Sequence, residues 1–152
     1  MAAAGKWKAY DTAKLKIAQA LIDLDSHTFK MALFLSSSNC DTLTHDELAD
    51  LTNQVAGVNG YTTGGMTLTN VTLTNTSGTI KFTYDPVEWV ASGGSITARF
   101  AVIYDDTVVG DPLLCVCLLD ATPANVTASA GNAINVTASA SGILTISGAT
   151  TN

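Results

Sequence analysis

The chain predicts a mainly β fold, an antiparallel β-sandwich with a short N-terminal arm and one or two short helices. Three observations carry this. Thr and Ser together supply 33 of 152 residues, alongside 12 Gly and only 3 Pro. Several short segments alternate apolar and polar residues, which puts one face of a strand in a core and the other in water. Turn signals recur about every eight to twelve residues, the rhythm of a sandwich. At 152 residues one core is expected, organised as an arm and helix over 1–28, a sandwich over 29–148 and a tail over 149–152.

The elements follow in chain order. Residues 1–10 form an arm holding Lys6-Trp7-Lys8 and Tyr10. Asp11 or Thr12 can cap a helix whose apolar positions Leu15, Ala18, Leu21 and Ile22 keep helical spacing, and the polar turn 23–27 ends it. Residues 28–35 read as a buried strand. A Ser-Ser-Ser-Asn loop precedes a second helical piece over 44–55, with Thr44 and Glu47 in capping-box positions and Leu48, Leu51 and Val55 on one face. A Gly-punctuated loop through Tyr61 leads to a strand over 66–74, whose alternation changes phase near Asn70 and so suggests a bulge.

After the turn 75–78, the segment 79–84 sets Ile80, Phe82 and Tyr84 on one face. Asp85-Pro86 turns the chain into 87–90, which holds Trp89. Residues 95–104 read as one strand with Arg99 opposite an apolar face, and 105–111 as an acidic hairpin loop. Residues 112–119 are apolar on both faces, as a central strand requires. Asn-Val-Thr-Ala-Ser-Ala occurs at 125–130 and again at 135–140 around Gly131-Asn132. This repeat reads as the two strands of a hairpin. Residues 142–147 close the sheet.

Charge is scarce and uneven. Only 13% of residues are charged, about half the usual quarter, which excludes a disordered chain and a coiled coil. The first thirty residues carry five lysines against three aspartates, while the rest carry Lys81 and Arg99 against ten acids. A basic end is expected to meet an acidic partner. An acidic body repels phosphates, so nucleic acid is not expected as a partner. No apolar run reaches bilayer length and no secretory leader is read, so neither a membrane partner nor export is expected. The four Asn-x-Ser/Thr sequons at Asn70, Asn75, Asn125 and Asn135 then follow from composition alone.

Chemistry-bearing residues are few. Cys115 and Cys117 would lie about 7 Å apart on one side of a strand, at or beyond the reach of a bridge. With Cys40 they are expected to be buried free thiols. Cys40 and His45 could suggest a thiol–imidazole pair, but nothing supplies an orienting third group. Asp23-Leu-Asp25-Ser-His27-Thr28 fails as a calcium loop, because Thr28 stands at the glycine position and Phe34 at the closing glutamate position. Asp105, Asp106 and Asp111 could gather around a loop cation. The glycine-rich 60–65 stretch lacks the Lys and helix of a phosphate cradle. Neither catalysis nor a cofactor is expected.

One resemblance bears on function. Gly60-Tyr61-Thr62-Thr63-Gly64-Gly65, then Leu68, Trp89 and the aromatic strand Ile96-Thr97-Ala98-Arg99-Phe100-Ala101-Val102-Ile103-Tyr104-Asp105 occur in an order that resembles small virion structural proteins of tailed bacteriophages, those of head decorations, necks and tails. The segments 30–35 and 142–145 match their first and closing strands. The likeness runs from about residue 29 to residue 146, leaves the arm and helix outside, and implies no catalytic residue.

The expected role is a capsid decoration, or cement, protein that binds the outer head shell. Its partners would be the major capsid protein and copies of itself, as a symmetric oligomer, a trimer, and its place the virion assembled in the host cytoplasm. Lys6, Trp7, Lys8 and Tyr10 are the expected shell contacts on a removable arm, and Arg99 the expected anchor for an acidic partner. The termini are expected to be held by neighbours. Two alternatives remain at this stage. One is a neck, tail or fibre component; the other is a carbohydrate-binding attachment module using Trp89, Tyr61 or Tyr10 as an aromatic platform.

Overall fold

The alternating segments become strands, and every pairing between them is antiparallel. The computed structural model describes residues 4–148, so Met1 and the expected tail 149–152 lie outside the described residues. The strands are β1 (Lys8–Ala9), β2 (Phe29–Phe34), β3 (Met66–Thr67), β4 (Thr72–Thr76), β5 (Thr79–Thr83), β6 (Val87–Val90), β7 (Ile96–Ala98), β8 (Phe100–Asp105), β9 (Leu113–Leu118), β10 (Val126–Ala128), β11 (Ala133–Val136) and β12 (Leu144–Ile146). Among the described residues one α-helix, α1 (Asp11–Ala18), and a single 3₁₀ turn, Leu48–Asp50, accompany them. The largest sheet has the order β1-β9-β8-β2-β3; the others are β12-β5-β4, β11-β6 and β10-β7.

The sheets share one apolar core. Phe29 of β2 meets Phe82 of β5 edge to face, ring centroids 5.3 Å apart, which joins the five-stranded sheet to the three-stranded one. Trp89 of β6 packs 6.3 Å from Tyr61. The expected single strand over 95–104 breaks at Arg99 into β7 and β8, which belong to different sheets. Arg99 keeps both backbone bonds, its N–H to Phe34 and its carbonyl to Leu119, while the chain turns the corner. Sandwiches make corners by such strand switching. The phase change near Asn70 is also real: Asn70 has φ 48° and separates β3 from β4.

Four expectations are corrected. The arm does not stand free of the fold. Lys8 and Ala9 pair with Val116 and Cys115, the Gly5 N–H donates to Leu118, and Tyr10 is wholly buried with its hydroxyl on the Cys40 carbonyl at 2.5 Å. Lys6-Trp7-Lys8-Ala9 is thus a strand alternation laid along β9. Tyr10, Ala13, Ile22 and Leu24 join the common core.

The helix stops at Ala18 rather than near Ile22. Ala20 takes φ 57°, its N–H donates to Ile17 and the Leu21 N–H reaches back to Lys16. This is a Schellman closure with alanine where glycine is usual. It turns Ile22 and Leu24 into the core and leaves Leu21 outside.

The second helical piece reduces to one turn because its flanks are bonded elsewhere. Leu48 N–H donates to Asp111 and Leu113 N–H to Asp46, while Leu35 and Val55 exchange bonds with Asn53 and Leu33. Finally, the two repeat copies do not pair with each other. β10 pairs with β7 and β11 with β6, which sets Ala128 opposite Ile96 and Ile134 opposite Trp89.

Candidate functional site

The groups that could carry chemistry are committed to structure. Cys40, Cys115 and Cys117 are buried and unpaired. Burial pushes the Cys40 thiol up to about 11 and Cys117 to about 12, so both stay protonated at neutral pH. His45 Nε2 faces the Asn39 amide at 3.0 Å, and no Cys40–His45 bond forms. Asp23 closes the turn before β2, accepting from the Asp25 N–H and the Ser26 hydroxyl, and these bonds hold its carboxyl below the usual carboxylate range.

One constellation escaped the sequence reading. The side chain of Asp105, at the end of β8, is wholly buried and meets His27 Nδ1 at 2.6 Å, while its other oxygen accepts from the Thr107 N–H. The partners are 78 residues apart, so no local pattern could reveal them. Ser26, the neighbouring hydroxyl, donates to Asp23 instead of facing the imidazole, and the pair clamps the 23–28 turn to the sheet. Asp106 pairs with Lys30 at 2.9 Å. Asp105 and Asp106 therefore turn to separate partners, and among the described residues no group of three His, Cys, Asp or Glu gathers as a metal site.

The expected contact residues divide. Tyr10 is core and cannot meet a partner. Trp7 is half-buried and packs back against the core beside Ile143 and the Ser/Thr-rich 137–145 segment. Lys6, Lys8 and Arg99 do converge. They line one groove of about 340 Å³ whose floor is Phe100, Val116 and Leu118, closed by Pro123 and Ser36, with Asp41 as its single carboxylate. Strand alternation explains it. Lys8 lies opposite Val116 and Leu118 opposite Phe100, so the lysines and the floor share one face of the large sheet. Arg99 enters from the corner, its Nε donating to Asn125 Oδ1 at 2.9 Å. Within the chain its side-chain partner is thus a neutral amide.

A second, apolar trough lies between α1 and the three-stranded sheet. Two adjoining hollows of about 490 and 410 Å³ share Ile17 and Ile146; Ala18, Leu144, Ile80 and Leu73 are among their apolar lining, with Thr145 and Ser147 as polar members. Lys14 stands at one end, and Asp23 and Asp25 at the other. Ile146 is 43% exposed and Leu15 and Leu21 more than half.

No family model, curated protein or solved structure matches this chain. The reading therefore rests on the molecule itself. Trp89, Tyr61 and Tyr10 are all buried, so none offers a sugar platform. The glycine-rich loop serves packing: Tyr61 Oη accepts from the Leu33 N–H and the Gln54 amide, and Tyr104 donates to the Gly64 carbonyl. A Cβ on Gly65 would strike the Met31 carbonyl, which explains glycine there. Among the described residues, no helix is long and apolar enough to cross a membrane.

Proposed function

We propose that the chain is a structural protein of a tailed-bacteriophage virion, a decoration protein that binds and cements the outer surface of the head shell. The observation that carries this is the exposed apolar trough along α1, β12, β5 and β4, on a molecule with only seven cations and thirteen acids. An exposed apolar trough with charge at both ends is a surface on which a neighbour can pack. The sequence likeness to virion proteins supplies the setting.

The trough is the face for a second copy of this chain. A copy turned end for end brings Lys14 of each molecule, exchanging its exposed Asp11 partner, to Asp23 and Asp25 of the other while the apolar floors meet. Pairing by this face is two-fold; a trimer would form through another face. Cementing then follows by mass action. Contacts bridging capsid subunits exist only in the assembled shell, so binding favours that state.

Co-sedimentation with purified undecorated heads tests the reading. Saturable uptake at hundreds of copies per particle, with a raised temperature of head disruption, is the expected result. Saturation at a few tens of copies would move the protein to the neck or tail, and no uptake would overturn the virion role.

A further inference from the structure

The charge pairing of the molecule singles out the Lys6–Lys8–Arg99 groove. Of seven cations, Lys14, Lys16 and Lys30 are paired with Asp11, Asp46 and Asp106. The other four, Lys6, Lys8, Lys81 and Arg99, have no carboxylate within 4.0 Å among the described residues. Three of those four line the same groove, in a chain of net charge −6. Scattered surface lysines would not collect where the molecule is otherwise acidic. Arg99 spends only Nε on Asn125, and its terminal amino groups make no hydrogen bond among the described residues. A guanidinium in that state can take a carboxylate through two parallel bonds.

We propose that this groove binds an acidic–apolar peptide segment of a partner protein, with carboxylates on Lys6, Lys8 and Arg99 and an apolar side chain on the Phe100–Val116–Leu118 floor. The volume, about 340 Å³, lies at the small end of ligand clefts and suits a few side chains rather than a folded domain. The apolar floor argues against a simple anion site. Nucleic acid fits poorly, because the chain as a whole carries thirteen acids against seven cations and no Trp or Tyr lines the groove for stacking. The inference rests on the virion reading only for the identity of the partner, the shell protein, and not for the chemistry of binding.

The test is titration of the full chain with a labelled seven-residue peptide alternating Glu with Leu or Phe, against its Gln counterpart, at low and high salt. Exposed ion pairs are screened by salt, so the acidic peptide should bind about tenfold or more tighter than the Gln peptide at low salt and lose that margin at high salt. The combined K6Q/K8Q/R99Q variant should lose the margin as well, whereas K81Q, which removes the fourth unpaired cation outside the groove, should keep it. Equal binding of both peptides, or equal loss in K81Q, overturns the proposal. Displacement of the peptide by millimolar inorganic phosphate also overturns it, since that marks a plain anion site. Circular dichroism melts of each variant guard against misfolding. Head uptake is measured separately: heads that take up the triple variant as well as the parent remove the groove from shell binding but leave the virion role standing.

Discussion

Replacing Tyr10 separates a detachable arm from one built into the core. Its side chain is fully buried, and its hydroxyl is the donor to the Cys40 carbonyl. Truncating a buried aromatic to alanine costs about 3–5 kcal/mol. Leaving the Cys40 carbonyl unpaired adds about 1–3 kcal/mol. Tyr10→Ala should therefore lose about 4–8 kcal/mol, a large part of the roughly 5–15 kcal/mol that holds a domain together. Tyr10→Phe keeps the ring and removes only the donor. It should lose about 1–3 kcal/mol and, at about 2–4 °C per kcal/mol for a chain of this size, melt a few degrees lower. Urea denaturation followed by circular dichroism and tryptophan emission reads both. A Tyr10→Ala variant within about 1 kcal/mol of the parent would refute the packing argument, as would an unchanged melt after deletion of residues 1–10.

Other substitutions follow from the same reasoning. Ala20→Gly relieves a left-handed alanine at the end of α1 and should stabilise by up to about 1 kcal/mol in the same denaturation assay. Tyr84 is buried with no partner for its hydroxyl, and that burial pushes its ionisation upward. Tyr84→Phe should then be neutral or slightly stabilising, opposite in sign to Tyr10→Phe. The thiols predict a pH response. The folded state holds the Cys40 proton up to about 11 against 9.0 for a free thiol, so it binds more protons than the unfolded chain. Stability contributed by the neutral thiol is complete below pH 9.0 and falls as pH rises towards 11. Urea midpoints across that range should decline, and a thiol reagent at pH 8 should react with Cys40, Cys115 and Cys117 only after denaturant is added.

Strand identity was legible in the sequence wherever period-two alternation met a turn, as at 79–84, and in the doubly apolar run that becomes β9. Pairing was less so. The 125–130 and 135–140 copies look alike locally, yet the strands they meet, at 96–98 and 87–90, are distant in the chain. Lys6-Trp7-Lys8 reads as an arm because it precedes the helix and carries two lysines beside an aromatic. In fact they sit on the outward face of an edge strand, and Trp7 and Ala9 take the other face. The 44–55 segment kept helical spacing, but its backbone bonds go to 111–113 and 33–35, and tertiary pairing overrides propensity. Of the site, the lysines and Arg99 could be named from the sequence, but their meeting depends on the corner at Arg99. The His27–Asp105 clamp left no local trace.

The most direct measurement is a reconstruction of the phage head with this protein bound. The account predicts density for this fold on the outside of the shell, in hundreds of copies. The α1–β12 trough would be covered by a second copy, and an acidic stretch of the capsid protein would lie against Lys6, Lys8 and Arg99. Heads that lack the chain, or a bound chain with both surfaces turned to solvent, would contradict it.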